Sequence, residues 1–208
     1  MDHISTELTK ASIEKALETA ESFLSRLLGP ALEEAGLLLK EKVRLCRLKN
    51  QLRILGKAQD MLREAGLEPN AVPLRTLLPL LEGSSLEDDE SLSSKWAALI
   101  ANAAGGTMLE GSHPAFPKIL GEMSPQEALM LDRLTDQGGE ARWESFRQDF
   151  AKELLLSVDD VNQKYTNLFR LGLCRIHRKQ DKGDPVISIS PFGKYFVRAC
   201  TSPSQSDT

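Results

Sequence analysis

The sequence predicts a mainly α protein. A helical domain is expected over residues 1–122, a second domain of helices with one small β-hairpin over 123–200, and a disordered tail at 201–208. Three observations predict this. Aromatic residues are only 5% and charged residues 27%, with Leu, Ala, Glu and Lys prominent, a composition of helices rather than sheets. Apolar residues recur at helical spacing through most of the chain. Strand-like alternation is confined to Cys174–Arg178 and Val186–Ser190, on either side of a polar tip at Lys179–Asp184.

Ile13, Ala16, Leu17, Ala20, Leu24, Leu27 and Leu28 mark an amphipathic helix over Ala11–Leu28, broken at Gly29-Pro30. A helical pattern resumes at Ala31. Lys40–Ala65 reads as one long helix. Leu45, Leu48, Leu52, Leu55 and Leu62 share a stripe, and Val43, Ile54 and Met61 form a narrower strip nearly opposite. Two opposed strips predict neighbours on both sides and make this helix the expected central strut. Gly66 supplies a left-handed cap, and Pro69 prevents an immediate restart.

Pro73 suits the first position of the next helix, and Pro79 inside LRTLLPLLEG predicts a short kinked helix or two pieces. Ser85 is expected to cap a helix from Leu86 whose first turn holds Glu87, Asp88, Asp89 and Glu90. The positive helix end accounts for these acids without a metal. Leu92, Trp96, Leu99, Ile100 and Ala103 form its buried stripe, ended by Ala104-Gly105-Gly106. Pro114 opens a short helix to about Leu120, with His113 as a helix-start residue.

Ser124-Pro125-Gln126-Glu127 is a capping box with proline at the first helical position. Leu129, Met130, Leu131 and Leu134 follow, ended by Gly138-Gly139. Trp143–Leu154 is a second helix. Ser157 caps a third, with Val158, Val161, Tyr165, Leu168 and Phe169 expected to face inward. The hairpin comes next, and Pro191–Cys200 is a last helix with Phe192, Phe196 and Val197 inward. This order, with the run NLFRLGLCRI…VISISPFGKYF, resembles a winged helix-turn-helix.

Composition also bounds function. The net charge is −4, carried by residues 1–122 (14 Lys/Arg, 18 Asp/Glu), whereas residues 123–208 hold 12 of each. A generally basic nucleic-acid coat is excluded, so any such binding must be local. Cys46, Cys174 and Cys200 match no ligand spacing and read as reduced thiols. The N-terminal MDHISTELTK lacks the apolar core of a signal peptide, and no apolar run approaches the ~20 residues needed to cross a bilayer. A cytoplasmic location is expected.

No P-loop, GxGxxG, HExxH, CxxC or Ser-His-Asp arrangement has local support, so no catalytic, metal or cofactor residue and no small-molecule substrate is expected. Two groups of residues remain. Between Lys40 and Lys57 seven Lys/Arg face the single acid Glu41. Lys40, Arg44, Arg47, Lys49 and Arg53 are candidates to bind an anion or a partner, although the acids Glu33, Glu34 and Glu87 to Glu90 answer them more simply. In the C-terminal domain, Gln163, Lys164, Asn167, Arg175, Arg178 and Lys179 are candidates for nucleic acid. Asp159 and Asp160 at the helix start, and Asp181 and Asp184 in the wing, oppose phosphate.

The motifs VRLCRLKNQLRIL, VPLRTLLPLLEGSSLEDDE, WAALIANA, SHPAF and MSPQEA occur in an order that resembles the abortive infection alpha family, over roughly Gly29–Leu134. Cys46 stands where that family would place an aromatic. The resemblance implies a helical protein of bacterial defence against phage and supplies no catalytic residue. A membrane-acting effector fits less well, because the polar face of Ala11–Leu28 is net acidic. A non-enzymatic interaction module is therefore expected, docking on a protein partner or on itself, with DNA sensing as the alternative.

Overall fold

A computed structural model describes Thr19, Ser22, Phe23, Arg26 and residues 48–106, 113–177 and 184–204. The chain forms two compact units. One holds the described residues up to Lys118 together with the chain from Ala199 onward; the other is Ile119–Arg198.

The first unit is built on α1 (Leu48–Glu64), α2 (Leu74–Ser84) and α3 (Glu90–Gly105). On α1 the buried residues are Gln51, Ile54, Leu55, Ala58 and Leu62, with Leu52 and Met61 half-buried at the margins. The two opposed strips expected from the sequence are thus one broad face, because Gln51 and Ala58 fill the gap between them. Burial of the Gln51 amide is tolerated because its Nε2 donates to the Leu81 carbonyl at 2.8 Å. Gly66 takes φ 66°, and the Leu67 amide returns to the Leu62 carbonyl at 2.9 Å.

The central strut is α3 rather than α1. Every residue from Trp96 to Ala101 is buried, which happens only to a helix covered on all sides. The helix starts later than its acids suggest. Asp89 is the N-cap and accepts from the Leu92 amide at 3.0 Å, so only Glu90 lies in the first turn. Ser85 instead closes α2, its hydroxyl donating to the Glu82 carbonyl at 2.7 Å. Pro79 sits inside a single continuous α2, and Pro73 precedes that helix as its N-cap. Gly83 of α2 is packed on the Trp96 indole so closely that a Cβ there would lie 2.2 Å from the ring. Asn102 donates to the carbonyls of Ala199 (2.9 Å) and Thr201 (2.8 Å), which fastens the returning chain into this unit. Between the two units' stretches of sequence lies α4 (Phe116–Gly121).

The second unit runs α5 (Pro125–Asp136), β1 (Glu140–Arg142), α6 (Trp143–Leu154), α7 (Val158–Arg170), β2 (Cys174–His177), β3 (Val186–Ile189) and α8 (Pro191–Ala199). The capping box opens α5, with Ser124 and Glu127 bonding each other's amides at 2.7 and 3.3 Å. The hairpin of β2 and β3 acquires a third strand, giving the antiparallel order β1-β3-β2 with Ala141 and Ile176 on either side of Ile187. Ala128, Met130, Leu131, Leu134, Trp143, Phe146, Phe150, Val161, Leu168, Leu173, Ile187 and Phe196 build the core. Ser190 ties the end of β3 to the end of α7: its hydroxyl bonds the Gly172 carbonyl and accepts from the Gly193 amide at 2.8 Å. Gly193 leaves no room for a side chain, since a Cβ would lie 2.1 Å from the Leu173 carbonyl oxygen.

Candidate functional site

The basic row of α1 comes first, because it is the described end of the Lys40–Lys57 cluster read from the sequence. Arg53 Nη1 donates to Glu90 Oε2 at 2.8 Å and its Nη2 to the Glu87 carbonyl at 3.2 Å. Lys57 Nζ reaches Glu90 Oε1 at 2.5 Å and Ser94 Oγ at 3.1 Å. The Lys57 hydrogen bond, then the Lys57 and Arg53 charges, hold the Glu90 carboxyl below its ordinary 4.5. Arg53 is therefore committed to a partner inside its own unit. Lys40, Arg44, Arg47 and the side chain of Lys49 lie outside the described residues.

In the second unit the decisive element is α7. Ser157 and Asp160 cap it reciprocally, the Asp160 amide donating to the Ser157 hydroxyl at 3.1 Å and the Ser157 amide to the Asp160 carboxylate at 3.1 Å. The Ser157 bonds keep Asp160 below its ordinary 3.8. Only Val161 and Leu168 of α7 are fully buried. Val158 is 37% exposed and Phe169 57% exposed, against the expectation that both face inward. The core is narrower than the apolar arc of this helix, so its outer edge is left at the surface.

At 100° per residue, Val158, Asn162, Tyr165 and Phe169 share an arc of about 60° beside the buried row. Leu155 lies in the turn before the helix. It is 92% exposed and holds φ 54°, a left-handed conformation that glycine or asparagine adopts more readily. The ring of Tyr165 lies 4.8 Å from Trp143 and 6.1 Å from Phe169, so a chain of aromatics runs from the core to the surface. The signal missed in the sequence is the run Leu154-Leu155-Leu156, which sits between two helices where one turn cannot bury three leucines.

The nucleic-acid candidates fall on different surfaces. Gln163 is exposed and Lys164 half-buried. Asn167 is occupied within the unit: its Nδ2 donates to the Glu122 carbonyl at 3.1 Å and its Oδ1 accepts from Arg170 at 2.7 Å. Arg170 also bonds Glu122 Oε2 at 2.7 Å. Arg175 is exposed on β2, in register with Ser188 and, beyond it, Glu140. Arg178 and Lys179 lie outside the described residues.

Burial pushes the Cys174 thiol up to about 12, which removes it as a nucleophile near neutrality. Among the described residues no group of three His, Cys, Asp or Glu is placed to hold a metal ion. His113 Nδ1 accepts from the Ala115 amide at 3.2 Å, as a helix-start residue would. Among the described residues no helix is long and apolar enough to cross a membrane.

These features define a mainly helical protein of two units, the second bearing a three-stranded antiparallel sheet. The chain belongs to the abortive infection alpha family, whose family model matches residues 49–200. The match starts later than the sequence resemblance and runs far beyond Leu134, so β1 to β3 and α5 to α8 belong to the family region rather than being appended to it. At the level of the family, this places the chain in abortive infection, a defence against phage. No curated protein and no solved structure matches the chain.

Proposed function

We propose that this protein is a non-enzymatic interaction module of abortive infection, and that it docks on protein through the outer strip of α7. The order of elements in the second unit resembles a winged helix-turn-helix, in which α7 would correspond to the reading helix and β2–β3 to the wing, and this supports the reading. The carrying observation is the composition of α7's surface. Val158 and Phe169 are exposed on the same arc as Tyr165, with exposed Leu155 in the preceding turn, and apolar surface of this kind is stabilised by being covered with protein.

A DNA reader is the second reading, favoured by exposed Gln163 and Arg175. The outward row of α7 is Asp159, Gln163, Thr166 and Arg170, however, and its acid at the helix start would meet phosphate. Plaque counts on cells carrying variants separate the two readings. Docking on protein expects Phe169→Glu to abolish protection and Gln163→Glu with Arg175→Glu to leave it within a fewfold. Duplex binding by the purified chain that weakens steeply with salt, and that Arg175→Glu removes, would move the assignment to DNA sensing.

A further inference from the structure

We infer that the occupant of the α7 strip is a second copy of this chain, docked with its own α7 antiparallel about a twofold axis. This names the partner of the interaction reading and rests on it. The observation behind it is how charge is arranged along the strip. Asp159 is exposed at the N-terminal end, and Arg170, its side chain 59% exposed, lies at the C-terminal end on the same flank. Between them on that flank are only uncharged Gln163 and Thr166. Asp159 and Arg170 are eleven positions apart, roughly 16 Å along a helix.

A surface with an acid at one end and a base at the other is complementary to itself when reversed. In an antiparallel pair each Asp159 meets the Arg170 of the other copy, and symmetry forms both contacts at once. A parallel twofold pair would turn this flank against the other flank of the partner, where Asp159 would meet Asp160 and Arg170 no acid. The same reversal fixes the apolar register. Val158 lies opposite Phe169, and Asn162 opposite Tyr165, whose phenol offers the amide a hydrogen-bond partner within the seam. Arg170 holds Asn167 and Glu122 through Nε and Nη2, which leaves Nη1 for the incoming carboxylate. Lys164, on the other flank, lies near Asp160 of its own helix and stays out of the seam.

Sedimentation velocity of the full chain over a concentration series tests this. The wild type should dimerise with rising concentration, and Phe169→Glu should weaken the dimer on the order of 100-fold. Asp159→Arg and Arg170→Asp should each weaken it about tenfold, because both ends of the pair become like-charged. An equimolar mixture of these two variants should associate again, since unlike charges then face each other at both ends. Circular dichroism checks each fold. Asp159→Arg leaves the Arg170–Glu122 contact untouched, so it remains informative if Arg170→Asp misfolds. A wild type that stays monomeric throughout overturns the inference, as does a wild-type dimer that Phe169→Glu and Asp159→Arg leave intact. If the chain is monomeric yet Phe169→Glu still abolishes protection, the second copy is wrong and docking on another protein stands. If protection also survives Phe169→Glu, the interaction reading falls with it.

Discussion

The two units handle surface in opposite ways. In the first, the described part of the basic row is answered within the unit: Arg53 and Lys57 converge on Glu90, and α3 is buried on every face from Trp96 to Ala101. In the second, which is neutral as a whole, apolar side chains are left outside a small core, and charges of opposite sign stand at the two ends of α7. The described charges of α1 thus serve the scaffold, and the unburied apolar area of α7 marks the surface proposed for docking. Arginine and lysine gain from any nearby acid, so a basic row on a bundle helix finds one. An exposed phenylalanine gains nothing from water and is settled only by a partner.

Variants can break or sharpen that contrast. The largest effect is expected for Trp96→Ala, which empties the centre of the first unit and should cost about 4 kcal/mol in chemical denaturation followed by helix circular dichroism. Gly193→Ala is the counterpart in the second unit. The added Cβ would strike the Leu173 carbonyl, and a loss of about 2 kcal/mol is expected, read by the fluorescence of Trp143. Leu155→Gly should act in the other direction. It relieves a left-handed leucine that buries almost nothing, and should raise stability by up to about 1 kcal/mol while weakening docking.

The smallest effect concerns pH. The folded pKa of Glu90 lies below 4.5, so its contribution to stability is present above that value and is lost as pH falls through the folded one. Glu144, bonded by Arg147 and Gln148, and Asp160 behave likewise in the second unit. Glu90→Gln should therefore flatten the acid side of the first unit's stability profile, and added salt should shrink the difference from wild type. A Glu90→Gln profile as steep as the wild type's would show that the basic row of α1 is not answered by this acid.

Elements with local instructions were legible in advance. Ser124 and Glu127, Ser157, Gly66 and the alternation of Val186–Ser190 each act within a few residues, and the structure places their elements within one or two positions of expectation. What escaped depends on contacts distant in sequence. Glu140-Ala141-Arg142 has no strand pattern and becomes β1 only because β3 offers it an edge. Asp89 displaced Ser85 as a cap because Ser85 is held as the C-cap of α2 and is fully buried. Gln51 was unreadable as a core residue until the Leu81 carbonyl stood beside it. At the candidate surface, Val158 and Phe169 follow the inward spacing faithfully. How much of that arc the core would cover was set by the width of the neighbouring elements, which no single helix encodes.

Leu155 places folding and docking in opposition at one codon. Under the docking proposed for α7, selection for heat resistance alone would favour glycine there and cost the chain its protection. Selection for survival under phage would hold leucine in place. A leucine at this turn is the choice that folding alone would not make, and the docking proposed for α7 would account for it.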